Sequence, residues 1–409
     1  MNQPQRRWLA ISFFNLLLVA ALGVLMRYKI EFHLPLVQQK YALHSHSHFA
    51  FSGWITQTLM VLMVHWLSTQ LGEQAYKKYR WLLVANLVTA YGMLVAFLLQ
   101  GYGFFSISFS TLSIFVAYVF AATYWRQLNT IREKKLSHAW LKASLVFSVI
   151  SSIGAFSLAY MMASKVNHQN LYLAAIYFFL HFQYNGWFFF AGMGLLVAQL
   201  EKMGLDVKKL RRVFLLFVYA CIPAYFLSVL WLRLPLAIYS VTVVAVLMQL
   251  AGWWWLVKWW VRHRPVIYAN LPRMGRVLLL LAALAFSIKL ILQTGSVHPA
   301  LSQLSYGFRP IIIGYLHLVL LAVTSVFMLG YIVSFKLIVP NKTFRSGTFI
   351  FVVGIMVNEV LLMIQGVAAF SYLPIPYINI YLLVAAIILL SGAGLMFLGV
   401  KSVKQPGEG

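Results

Sequence analysis

Along this chain, apolar residues come in runs of about 20 or more, separated by short polar stretches. They show neither the alternation of a strand nor the one-sided stripe of a soluble helix. A run of that length, as a helix rising about 1.5 Å per residue, matches a hydrocarbon core roughly 30 Å thick. About twelve runs begin near Trp8, Phe51, Trp81, Ser106, Trp140, Leu171, Val213, Leu236, Val277, Pro310, Thr348 and Tyr377. The fifth and ninth are the least continuous, because Ser151, Ser152 and Lys289 interrupt them. The pattern predicts an all-α integral membrane protein, with residues 1–409 as a single polytopic transmembrane domain. Arg6 and Arg7 resemble the basic start of a signal peptide, but no small-residue cleavage site follows, so the first run is expected to remain a span. Neither a low-complexity linker nor an internal repeat is evident. The longest segments outside the spans are expected at 28–43 and 295–309.

Composition agrees with the pattern. The chain is 62% hydrophobic and only 10% charged, against roughly 25% charged in a soluble domain. Its one cysteine, Cys221, excludes a disulfide framework, a cysteine-held iron–sulfur cluster and a Cys-x-x-Cys-His haem attachment. A haem in this chain would be held by side-chain ligands alone.

The net charge of +25 changes meaning once it is placed on the chain. Basic residues cluster in alternate loops: Lys77, Lys78 and Arg80; Arg126, Arg132, Lys134 and Lys135; Lys202, Lys208, Lys209, Arg211 and Arg212; Lys258, Arg262, Arg264, Arg273 and Arg276; Lys336, Lys342 and Arg345. Arg6, Arg7, Lys401 and Lys404 add to the termini. This is the positive-inside pattern, with both termini cytoplasmic and an even number of spans. The expected partner is the lipid bilayer and the expected location a bacterial inner (cytoplasmic) membrane. No nucleic-acid partner is expected from charges dispersed over short loops.

The candidate chemistry lies in histidine. Of 11 histidines, three fall within "YALHSHSHFAFSGW" as His44, His46 and His48. In this topology His33, His44, His46, His48, His168, His181, His298 and His317 belong to the outer half, and only His65, His138 and His263 lie near the inner face. His48, His181 and His317 enter spans two, six and ten, all running inward. Each lies roughly one to three turns below the outer surface. Imidazole in a bundle ligates a metal through one nitrogen while the other donates a hydrogen bond, or it joins helices and carries protons. His44 and His48 share a helix face, whereas His46 points to the other side. "SHSH" alone is a weak copper or zinc signal.

Three segments carry a resemblance. "LHSHSHFAFSGW", "LHFQYNGWFFF" and "GYLHLVLLAV", on spans two, six and ten of about twelve with cytoplasmic ends, resemble subunit I of the haem-copper oxidases and nitric oxide reductases. The motif style is that of the cbb-type oxidases. The resemblance implies that fold, a low-spin b-type haem held by His317 and a second-span histidine, and a role in respiratory electron transport. His48 is the first choice for the second ligand, with His44 and His46 as alternatives. His181 falls at a second-metal position, and Tyr315 stands where a high-spin haem would find its ligand. The chain departs from the family in three respects, the first being that Tyr315 replaces the histidine that would bind the active haem. Its seventh span, "VFLLFVYACIPAYFLSVLW", lacks histidine, and no carboxylate stands beside His181. The implied protein therefore has a low-spin haem b and no complete binuclear centre, serving electron transfer or a modified oxygen or nitric oxide reductase role. Copper is not expected. Respiratory-type partner subunits or a redox donor would complete the system. A haem-free transporter or channel moving protons or metal ions through histidine and glutamate is the alternative.

Other polar residues complete the set. Glu359, deep in "VGIMVNEVLLMIQG", is a proton-relay candidate or a structural partner of Asn358. Arg309 and Lys289, near outer span ends, are candidates for haem propionates. For Lys289, snorkelling to the interface is the favoured reading. Gln57, Gln183 and Asn185 are expected to make hydrogen bonds between helices. Trp253–Trp255 with Trp259 and Trp260 are expected to form an aromatic belt.

Overall fold

A computed structural model describes residues 3–401 apart from Asn167 and Arg233. Lys404 lies outside the described residues. Every described element is helical. In chain order they are α1 (Gln3–Glu31), α2 (Gln39–Phe49), α3 (Gln57–Leu71), α4 (Glu73–Gln100), α5 (Phe104–Thr130), α6 (Leu136–Ala163), α7 (Gln169–His181), α8 (Phe189–Lys202), α9 (Leu210–Cys221), α10 (Leu236–Asn270), α11 (Arg273–Gly295), α12 (Pro299–Gly307), α13 (Arg309–His317), α14 (Val326–Ser334), α15 (Lys342–Phe370) and α16 (Ile378–Lys401). Wider π-turns join α2 to α3 (Ala50–Thr56), α7 to α8 (Phe182–Phe188) and α13 to α14 (Leu318–Ser325). A tighter turn, Pro223–Val229, follows α9.

The expected apolar runs lie in or beside these helices, with the second, sixth, seventh and tenth each divided between two or more elements. Among the described residues, ten helices are long and apolar enough to cross a membrane. The protein is thus an α-helical, multi-pass integral membrane protein. Apolar side chains such as Leu99, Phe104, Leu247, Ile291 and Val367 are exposed on its helices, as contact with lipid requires.

The weak points are not where the sequence suggests. The fifth and ninth runs are unbroken as α6 and α11. The sixth, from Gln169 to Lys202, is continuous but stays outside the ten, with His181, Gln183 and Asn185 in its interior. The seventh bends by 48° between Leu210–Cys221 and Pro223–Val229, where proline lacks the N–H that an α-helix would use and its ring crowds the preceding turn. Lys258, Arg262 and Arg264, expected in a loop, lie on α10, which runs on through Pro265. Of the two long outer segments, the first shrinks to the link between Glu31 and Gln39, and the second contains α12.

The chain divides into two compact units, residues 1–120 with 328–409 and residues 121–327. In the first, α1 and α15 pack on α16, and α2 and α3 pack on α4. The α15–α16 pair approaches closely at glycine. A Cβ on Gly392 would lie 2.5 Å from Phe351 N, and one on Gly399 2.6 Å from Phe344 N. Small residues allow this contact between membrane helices, where dispersion replaces the hydrophobic effect. Asn341 caps α15, accepting from Phe344 N at 2.8 Å and donating to Gly399 O at 3.0 Å. In the second unit α6 packs on α7 and α8, α9 on α10, and α11 on the Leu318–Ser325 turn. The tryptophans of α10 are split. Trp254 and Trp255 are exposed, as a belt requires, while Trp253 donates to Ser287 and Trp259 to Asp206 O.

Candidate functional site

The spans that carry His48, His181 and His317 each leave α-helical geometry at or just past the histidine. The π-turns begin just past His48, directly after His181 and directly after His317. A π-turn inserts a residue into a helix, at a cost, and is concentrated at functional sites. The first two turns share a Gly-Trp pair at the same offset from the histidine, Gly53–Trp54 and Gly186–Trp187. Both tryptophans are buried. A Cβ on either glycine would lie 2.6 Å from Phe49 or Phe147 respectively.

Polar side chains hold the turns in place. In span two, Asn15 Nδ2 donates to Gly53 O. Asn86 Nδ2 donates to Ser52 O (3.1 Å) and Gln57 Oε1 (2.7 Å), and Tyr91 donates to Asn15 Oδ1 (2.7 Å). In span six, Gln183 donates to Ser151 Oγ at 2.8 Å. In span ten, Thr324 and Ser325 each donate to the carbonyl five residues earlier, Val319 O and Leu320 O, at 2.8 Å. Gln57 and Gln183 thus make the helix-joining bonds expected of them.

In the first unit the three clustered histidines lie on α2, whose start at Gln39 puts all of them in regular helix. His44 and His48 do share a face. His48 stacks on Phe97 (4.2 Å, 18°) with Nε2 3.4 Å from Tyr102 Oη, and the His44 ring meets Tyr102 edge-on at 4.6 Å. Desolvation raises the Tyr102 phenol above its ordinary range, so it stays a neutral hydroxyl. His44 Nε2 is buried and has no hydrogen-bond partner among the described residues. His46 faces α1 and donates from Nδ1 to Val19 O at 3.1 Å. Glu359, half-buried on α15, accepts from Asn358 Nδ2 at 3.2 Å, the structural pairing anticipated for it.

The second unit holds the other candidates. His317 donates from Nδ1 to Ile313 O at 2.8 Å, which leaves its lone pair on Nε2. The Tyr315 ring meets that of Tyr184 edge-on, with centroids 6.4 Å apart. Arg309 is exposed at the start of α13.

His181 does not suit the second-metal role. It is 1% exposed. Asn185 Nδ2, a donor, lies 3.1 Å from its Nδ1, so Nε2 carries the proton given to Cys221 O at 2.8 Å. Both nitrogens are occupied by protein. Among the described residues no group of three or more His, Cys, Asp or Glu is placed to hold a metal ion. Lys289 corrects the other expectation. It does not snorkel but is 2% exposed, with Nζ 5.3 Å from the Phe286 ring centroid. Asn15, Asn86 and Cys221 carry no sign in the chain of belonging to a site, beyond being polar residues in apolar runs.

Compared by sequence, the chain matches no protein-family model and no curated protein.

Proposed function

We propose that this is a membrane electron-transfer protein with the twelve-span architecture of haem-copper oxidase subunit I, holding a low-spin haem b and lacking a second metal. The observation that carries the reading is the histidine followed by a π-turn in spans two, six and ten. Further support comes from the ten helices long and apolar enough to cross a membrane among the described residues and from the alternate basic loops, which favour cytoplasmic termini and a bacterial inner membrane.

His317 fits an axial ligand because its Nδ1–H is tied to Ile313 O, the outer-shell bond that orients ligating histidines. For the second ligand the hydrogen bonds favour His44 over His48. His48 Nε2 already faces Tyr102, while His44 Nε2 is buried and unpaired. An unpaired buried group costs about 1–3 kcal/mol, which iron ligation removes. Bound haem would supply a one-electron carrier. The chain's part is to fix the imidazoles and, through Phe97 and Tyr102, to keep the His44 side apolar. Oxygen or nitric oxide chemistry is not favoured, since His181 has no nitrogen to offer.

The test is the reduced-minus-oxidised spectrum after haem-replete expression. A Soret band with sharp α-bands is expected, lost in His317→Ala and His44→Ala and kept in His48→Ala. A colourless protein sinks the proposal. It would leave the haem-free transporter, which the broken span at Pro223 favours, because carbonyls freed by a break can receive cations. Loss in His48→Ala alone returns the second ligand to His48.

A further inference from the structure

Helix α10 runs for 35 residues from Leu236 to Asn270. That is about 52 Å at 1.5 Å per residue, against a hydrocarbon core of roughly 30 Å, so part of the helix lies beyond the apolar layer. One face of it changes character on the way out. Val244, Leu247, Trp254, Lys258 and Arg262 follow one another at helical spacing and form a single stripe, and each of them is exposed. Apolar side chains turned to lipid give way to a tryptophan and then to two cations. That is the order of acyl chain, interface and headgroup in one leaflet.

A second helix brings more positive charge to the same place. Trp259 Nε1 donates to Asp206 O at 3.3 Å, and a Cβ on Gly252 would lie 3.0 Å from Phe217. Helix α9 therefore lies antiparallel along α10, and its basic start is level with the Lys258 turn. Lys208, Lys209, Arg211 and Arg212 are exposed there. The only acidic residues between 201 and 276 are Glu201 and Asp206, and both are engaged. Glu201 accepts from Ser137 N and Oγ at 3.1 and 2.6 Å, and Asp206 Oδ1 accepts from Lys208 N at 3.0 Å. The cations of the α9 start, with Lys258 and Arg262, make no side-chain hydrogen bond or ion pair with a described residue. The basic link between α5 and α6 differs. There Lys134 donates to Asn129 O and Ile131 O at 3.0 and 3.1 Å, and Lys135 pairs with Glu133 at 3.0 Å. The charge on α9 and α10 is open to an outside anion, and the stripe leading to it selects one with an apolar tail.

We propose that this surface binds an anionic glycerophospholipid. The acyl chains lie along Val244 and Leu247, Trp254 stands at the level of the glycerol, and Lys258 and Arg262 hold the phosphate together with the cations that open α9. Arginine suits the task, since its planar fork meets two phosphate oxygens at once.

The test uses the full-length protein in neutral detergent, with lipid retention read by native mass spectrometry. Wild-type protein should retain phosphatidylglycerol several-fold better than phosphatidylcholine of the same acyl chains, and added salt should reduce that preference. Lys258→Glu combined with Arg262→Glu should abolish it. Lys134→Glu combined with Lys135→Glu changes the charge equally at the other link and should leave it intact. Equal retention of the two lipids by the wild type overturns the proposal. So does a preference that survives the changes at 258 and 262, or one that falls equally in both double variants. Glycerol 3-phosphate, which carries the phosphate without the chains, should not displace the lipid, and displacement would replace the lipid by a soluble anion. If the first double variant fails to fold, Lys258→Gln combined with Arg262→Gln and this competition decide. No readout depends on haem, so this proposal and the haem assignment fail separately.

Discussion

Cys221 and Asn86 show what single side chains do in this protein. Cys221 is 1% exposed, with its carbonyl bonded to His181. The native protein should therefore resist a membrane-permeant maleimide and label fully once unfolded, and rapid native labelling would contradict its burial. Asn86 serves two acceptors, Ser52 O and Gln57 Oε1. Asn86→Ala strands both, so a loss of about 1–3 kcal/mol is expected, read as a lowered thermal midpoint in detergent. Some of this scale was legible in the sequence. A spacing of four puts His44 and His48 on one face, and the contacts with Phe97 and Tyr102 follow from it. Lys289 was not legible. Its place near a span end suggests snorkelling, whereas the side chain is buried with its head over Phe286.

At the scale of elements, hydropathy located the helices and missed their interruptions. An apolar run looks the same whether its turns close on the fourth or the fifth residue, so the turns after His48, His181 and His317 leave no trace in it. Their polar supports are visible only as isolated Asn, Gln, Ser and Thr residues. The break at Pro223 had a sequence sign, proline within an apolar run, but the serines of the fifth run seemed the stronger interruption. Those serines instead bond within their own helix, Ser151 to Ser148 O and Ser152 to Val149 O. Close packing gives a test at this scale. Gly392→Leu forces α15 off α16 at Phe351. It should cost at least about 1–3 kcal/mol, seen as a lower unfolding midpoint, and an unchanged midpoint would contradict the packing.

For the whole molecule, membrane character was legible from composition and run length alone. The basic loops go further and make a topological statement. Reporter fusions in the 131–135 link should report the cytoplasmic side and fusions in the 296–298 link the opposite side. The reverse result would overturn the orientation. The division into two compact units could not be read from the chain, since the first unit joins residues 1–120 to 328–409 across the whole second unit. The central claim is a haem b with two histidine ligands and no second metal. Its most direct measurement is the optical spectrum of the purified, dithionite-reduced protein with and without carbon monoxide. The account requires a b-type spectrum that carbon monoxide leaves unchanged, because two histidines would hold the iron and leave no place for the gas. A protein without a Soret band, or one whose Soret band shifts on carbon monoxide, would contradict it.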